Sequence, residues 1–136
     1  MRRRVASLFL LTVALAACGG ETPTTTNTTP LKTETYGPFT IVDPMSCNCG
    51  DGIATYTINV VTAGSVDATA TWSPADATVI ARILDESFGT VLATSTPAGT
   101  SAKFSRPIGP GTYRIQVFLA PGGARTATFQ LSVTHP

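Results

Sequence analysis

Residues 54–60 read ATYTINV and residues 65–72 read SVDATATW. In the first stretch Ala54, Tyr56, Ile58 and Val60 share one parity, while Thr55, Thr57 and Asn59 share the other. In the second, Val66, Ala68, Ala70 and Trp72 fall together. Successive side chains of a strand point to opposite faces, so alternation with period two over this length describes half-buried strands. The pattern returns twice towards the end of the chain. GTYRIQVFL, residues 111–119, gathers Tyr113, Ile115, Val117 and Leu119, and TATFQLSV, residues 126–133, gathers Ala127, Phe129, Leu131 and Val133. The segments between read TAGS, SPAD, ESFG, TPAGT, PIGPG and APGGA, all rich in residues that form turns. Strands recurring every ten or so residues, without a helical segment between them, predict an all-β fold: a single jelly-roll-like antiparallel β-sandwich. About eight strands fit, near residues 38–42, 53–60, 64–72, 78–84, 89–95, 101–105, 111–119 and 125–134. The parity of Trp72 assigns its ring to the core.

Outward from this pattern, 136 residues give room for one domain and little else. Charged residues make up only 12% of the chain, which favours strands and turns over charged amphipathic helices. The first seventeen residues read as a secretory signal: Arg2, Arg3 and Arg4 form a positive end, and VASLFLLTVALAA supplies thirteen apolar residues. Thirteen residues at about 1.5 Å each fall short of a bilayer core, so this is not a spanning helix. Removing the signal takes three of the nine Lys/Arg and none of the eight Asp/Glu, which turns a formal charge of +1 into −2. No basic patch is left for nucleic acid.

Leu15-Ala16-Ala17-Cys18 resembles the lipobox of bacterial lipoproteins. That resemblance implies a diacylglyceryl group on the Cys18 thiol, cleavage before Cys18 and acylation with chains such as palmitate. Each buried methylene adds about 0.8 kcal/mol, so two or three chains anchor a protein for practical purposes. Gly19 rather than Asp follows, and by the same resemblance the destination is the outer membrane where the host has one. Residues 18–35 are rich in Thr and Pro and poor in large apolar side chains, and read as a disordered tether. The expected organisation is therefore a signal peptide at 1–17, a lipidated cysteine and tether at 18–35, and a β-sandwich domain at 36–136.

Four stretches taken together, YTINVVTAGSVDATATW, ARILDESFGTVLATS, IGPGTYRIQVF and ATFQLSVT, resemble the bacterial pre-peptidase C-terminal domain. Pro110-Gly111-Thr112-Tyr113 is the most specific piece. The resemblance spans about residues 36–135 and implies a small jelly-roll sandwich linked to secretion, surface attachment or binding of polymers such as collagen and polysaccharide. In one strand this chain departs from the pattern. Thr78 and Ile80 stand where that family often carries carboxylates, so the resemblance does not extend to a calcium or ligand role resting on them.

Catalytic chemistry finds little to use. Cys47 and Cys49 in CNCGDG are the cysteines left once Cys18 is lipidated, and an even number in an oxidising compartment suits a local disulfide. Free or intermolecular thiols, or a thiol-dependent redox role, are the alternatives. Zinc normally takes four ligands, and His135, the lone histidine, stands at what reads as a frayed terminus. Asp43, Asn48 and Asp51 match no calcium-loop spacing and read as solvated loop residues. A carboxylate pair for glycoside hydrolysis would have to come from Asp67, Asp76, Asp85 and Glu86, which no pattern brings together. The chain is expected to be no enzyme and to hold no metal or cofactor. A binding face is the better prospect. If GTYRIQVFL and the strand after APGGA form a hairpin, Arg114, Gln116, Phe118, Thr126, Thr128 and Gln130 share an outward face. Arg114, Gln116, Phe118 and Gln130 are its candidate ligand residues. The expectation is a lipid-anchored, non-catalytic envelope module that binds a polysaccharide or protein partner; a structural or spacer subunit of an envelope complex is the alternative.

Overall fold

The computed structural model describes residues 29–43 and 52–136, within which nine strands and no helix occur. In chain order they are β1 (Lys32–Val42), β2 (Ile53–Val60), β3 (Gly64–Ser73), β4 (Val79–Asp85), β5 (Val91–Thr94), β6 (Thr96–Ala98), β7 (Ser101–Ile108), β8 (Gly111–Leu119) and β9 (Thr126–His135). They form two antiparallel sheets, one of five strands ordered β1-β9-β3-β7-β6 and one of four ordered β2-β8-β4-β5. The fold is an all-β, jelly-roll-like sandwich, as the alternation predicts.

The inward parities fill the space between the sheets. Val66, Ala68, Ala70, Phe129, Leu131 and Val133 line the five-stranded side, and Ile58, Val79, Ala81, Ile83, Ile115 and Val117 the four-stranded side, all buried in one cluster. Each large side chain taken fully from water contributes about 1.5–3 kcal/mol, so this layer dominates the stability of the domain. Trp72 belongs to it. Its ring is buried and its indole N–H donates to the Ala77 carbonyl at 2.9 Å, which satisfies that buried donor.

The structure corrects several expectations. Strand β1 begins at Lys32, four residues before the boundary placed at Tyr36, because Lys32 to Tyr36 pair with His135 to Leu131 of β9. Thr33 and Thr35 therefore belong to a sheet, where β-branched residues are favoured, and not to a tether. A short ninth strand, β6, forms from the first half of TPAGT and pairs with β7 around Pro97. His135 closes β9 and is 2% exposed, so the terminus is not frayed.

The largest correction concerns the end of the chain. β8 and β9 do not form a hairpin: β8 lies inside the four-stranded sheet and β9 inside the five-stranded one. The APGGA segment crosses from one layer to the other. It passes so close to the β3–β4 connection that a Cβ on Gly123 would sit 2.7 Å from the Asp76 carbonyl oxygen. β1 has a comparable close passage at its bulge. Gly37 has a φ of 104°, and a Cβ there would meet the Phe129 carbonyl oxygen at 2.7 Å. The signal segment 1–17, Cys18, tether residues 19–28, and Cys47, Asn48, Cys49 and Asp51 lie outside the described residues.

Candidate functional site

The outer face of the four-stranded sheet carries the densest recognition chemistry. Three cross-strand rows build it: Ile53, Phe118 and Ile80; then Thr55, Gln116, Arg82 and Thr94; then Thr57, Arg114, Leu84 and Val91. Directly opposed side chains on one face lie about 4.5–5.5 Å apart at Cβ, so members of a row touch. Arg82 donates from Nε and Nη2 to the single Gln116 Oε1, at 2.9 and 2.7 Å. Its guanidinium carbon also stands 5.0 Å from the centre of the Phe118 ring. Gln116 and Phe118 thus fix the plane of Arg82 from two sides, and its Nη1 makes no hydrogen bond among the described residues.

Arg114 repeats the device one row along. It donates from Nη1 to the Thr57 hydroxyl, and its guanidinium carbon stands 5.3 Å from the centre of the Phe88 ring. Phe88 reaches this position from the β4–β5 turn. The Asp85 carboxylate ties that turn together by accepting from the Ser87 hydroxyl and the Gly89 N–H, both at 2.9 Å. The Ser87 hydrogen bond, foremost, holds the Asp85 carboxyl below its ordinary pKa. Phe88 itself has φ of 60°, an uncommon conformation for a bulky residue. Opposite Arg114 on β4, Leu84, though outward by parity, is only 3% exposed and stands apart from the main core cluster. Both arginines are half-buried, the Arg114 Nε fully so and without a hydrogen-bond partner, and a guanidinium over a ring is worth about 0.5–2 kcal/mol as it passes from exposed to desolvated. Among the described residues no carboxylate comes within ion-pair distance of Arg82 or Arg114.

Of the four residues expected to form a ligand face, three meet here: Arg114, Gln116 and Phe118. The fourth, Gln130, does not. It lies on the outer face of the five-stranded sheet opposite Thr71, on the far side of the sandwich, and lines a shallow depression with Pro38, Thr71, Ser73 and Thr128. The cause is the missing hairpin. Arg82 and Phe88 take its place, and both carried a signal in the sequence. Arg82 has the outward parity within VIARILD, and Phe88 is a large aromatic inside a turn segment, ESFG.

A second polar cluster lies where β1 begins and β9 ends. Glu34 pairs with Lys32 and accepts from the Tyr36 hydroxyl, while the buried His135 Nε2 stands 3.7 Å from Glu34 Oε1. The Lys32 hydrogen bond first, and that of Tyr36 second, hold the Glu34 carboxyl below its ordinary pKa. Burial and then Glu34 push the Tyr36 hydroxyl well above its ordinary range. The Tyr36 ring lies 4.4 Å from that of Tyr56, joining the two sheets along this side. His135 is sealed from solvent by this packing and cannot meet a substrate as a base. Asp67 lies on the five-stranded sheet while Asp85 and Glu86 lie at the end of β4, so these carboxylates do not face one another across a cleft. Among the described residues no group of three or more His, Cys, Asp or Glu gathers at metal-binding distance.

In fold, the chain is similar to a pre-peptidase C-terminal domain. One such structure is the pre-peptidase C-terminal domain of a collagenase from Bacillus anthracis, with a TM-score of 0.57 and 21% identity, over 75% of this chain and 87% of that one. No protein-family model matches the sequence, and no curated protein does. The resemblance drawn from PGTY and the strand order thus has a structural counterpart. At this identity it extends to the architecture and not to a ligand.

Proposed function

We propose that this protein is a lipid-anchored, non-catalytic binding module of the bacterial cell envelope, held by acyl chains on Cys18 and engaging an extended polymer with the outer face of its four-stranded sheet. The observation that carries the reading is the doubled guanidinium-over-ring arrangement, Arg82 on Phe118 and Arg114 on Phe88, set side by side on a solvent-facing sheet. Rigid aromatic and arginine side chains presented together are the residue types that dominate binding energy at interfaces. A sheet face suits a polymer that lies along it better than a small molecule that must be enclosed. The Leu15–Cys18 lipobox and the Thr/Pro-rich segment after it support the anchoring half of the reading.

The test is retention of the mature lipidated chain, from Cys18 onward and purified in detergent, on insoluble polysaccharides, peptidoglycan and collagen. Phe118→Ala should lower retention on the polymer that binds by about tenfold and leave the thermal transition nearly in place. Retention that is equal in Phe118→Ala and the parent would remove this face from the function. Absence of retention on every polymer would shift the assignment to a structural subunit of an envelope complex.

A further inference from the structure

We propose that the polymer is an acidic polysaccharide, one whose sugar rings carry carboxylates. The inference rests on the binding-face reading above and specifies its ligand. Arg82 and Arg114 occupy neighbouring rows on adjacent strands, so their Cα atoms are diagonal neighbours about 7–8 Å apart. Neither is neutralised by a carboxylate among the described residues; an amide oxygen holds one and a threonine hydroxyl the other. Arg82 spends two of its five N–H donors on Gln116 and leaves Nη1 with both of its hydrogens. A guanidinium with a free edge and a fixed plane matches the paired oxygens of a carboxylate, and such charge-assisted bonds are about twice as strong as neutral ones.

The surroundings separate a sugar polymer from the other carriers of carboxylates. An acidic peptide bound by strand addition needs an open sheet edge, but Arg82 and Arg114 project from β4 and β8, the two interior strands of this sheet. Beside the guanidiniums lie a row of Ile53, Phe118 and Ile80, the half-exposed ring of Phe88 and the hydroxyl of Thr55. Apolar surface for the C–H face of a pyranose, next to groups that hydrogen-bond hydroxyls, is what a uronate residue requires. Glu86 and Asp85 border the Phe88 side of the patch, and the chain after Cys18 carries a net −2. Attraction to any polyanion at long range is therefore weak, and discrimination comes from local contact.

The probe is immobilised polygalacturonate, set against the same polymer with its carboxylates methyl-esterified, with the mature chain from Cys18 onward in detergent. The expected result is retention on the acid, at least about tenfold weaker retention on the ester, and a loss of about tenfold in Arg82→Gln and again in Arg114→Gln. Salt at about 0.5 M should weaken retention on the acid, because exposed charges are screened. Lys103→Gln, on the opposite sheet, should bind as the parent does, and unfolding curves establish that each variant is folded. Equal retention on acid and ester, or indifference to both arginine substitutions, overturns the proposal while leaving a neutral-polymer module standing. Tighter binding to poly-glutamate than to polygalacturonate overturns it in favour of an acidic protein. Failure to bind any polymer, charged or neutral, sinks this inference together with the binding-module reading.

Discussion

Phe88 carries a large ring on a backbone that L-residues avoid, with φ of 60°. That conformation costs about 1–2 kcal/mol for a residue with a side chain other than Gly, Asn or Asp, and strain of this kind tends to gather where function needs it. The residue is 48% exposed, so the core does not demand it there. What it touches is the guanidinium of Arg114. Phe88→Asn should therefore leave the domain as stable as the parent or up to about 1 kcal/mol more stable, while weakening polymer retention. Denaturant unfolding read beside retention checks both halves. A stability loss above about 1 kcal/mol would show that the ring is there to hold the turn. Arg82 and Phe118 were each readable as outward residues. Their stacking was not, because parity states which way a side chain points and not which neighbour it meets.

Strand β1 shows how an element can be misread from composition. Its Thr33, Glu34 and Thr35 continue the polar, Thr-rich run that precedes them, yet they pair with Thr134, Val133 and Ser132 of β9. The pairing assembles the Glu34, Tyr36 and His135 cluster, and two limbs of pH dependence follow from it. The Glu34 carboxyl is held below its ordinary 4.5, so the stability it contributes is present above about pH 4.5 and is lost as pH falls through the lower folded value. The Asp85 carboxyl acts in the same direction. The Tyr36 hydroxyl is raised above its ordinary 10.0, so its contribution is full below pH 10.0 and is lost as pH climbs towards the folded value. Burial raises Tyr56 as well and steepens the alkaline limb. The Tm should be flat between these limits and fall outside both. Glu34→Gln should make the acid limb shallower and reduce the alkaline one; an unchanged acid limb would show that the Lys32 and Tyr36 contacts add nothing to stability.

At the scale of the molecule, two sheets are held face to face by one shared apolar layer. Phe129 is its largest fully buried side chain, 1% exposed, and it stands opposite Trp72 across the β3–β9 pairing. Phe129→Ala should cost about 3–5 kcal/mol and lower a single unfolding transition, because both sheets lose the same packing partner. Two separate transitions would show that the sheets melt independently. The substitution is remote from Arg82 and Arg114, so at temperatures where the variant is folded its polymer retention should equal that of the parent.

The alternating stretches by themselves determined the all-β class, the inward set from Ile58 to Val133, the core position of Trp72 and the places where the chain turns. Each of these follows from the two-residue period of an extended chain, a property as local as the peptide pleat. Only the tertiary structure decided which strand belongs to which sheet. It therefore decided that Gln130 parts company with Arg114, Gln116 and Phe118, that Arg82 and Phe88 join them, and that His135 is buried at the end of β9. Those outcomes depend on pairings between residues far apart in the chain. Strands of equal period and similar composition are interchangeable until the packing of two complete sheets selects their order.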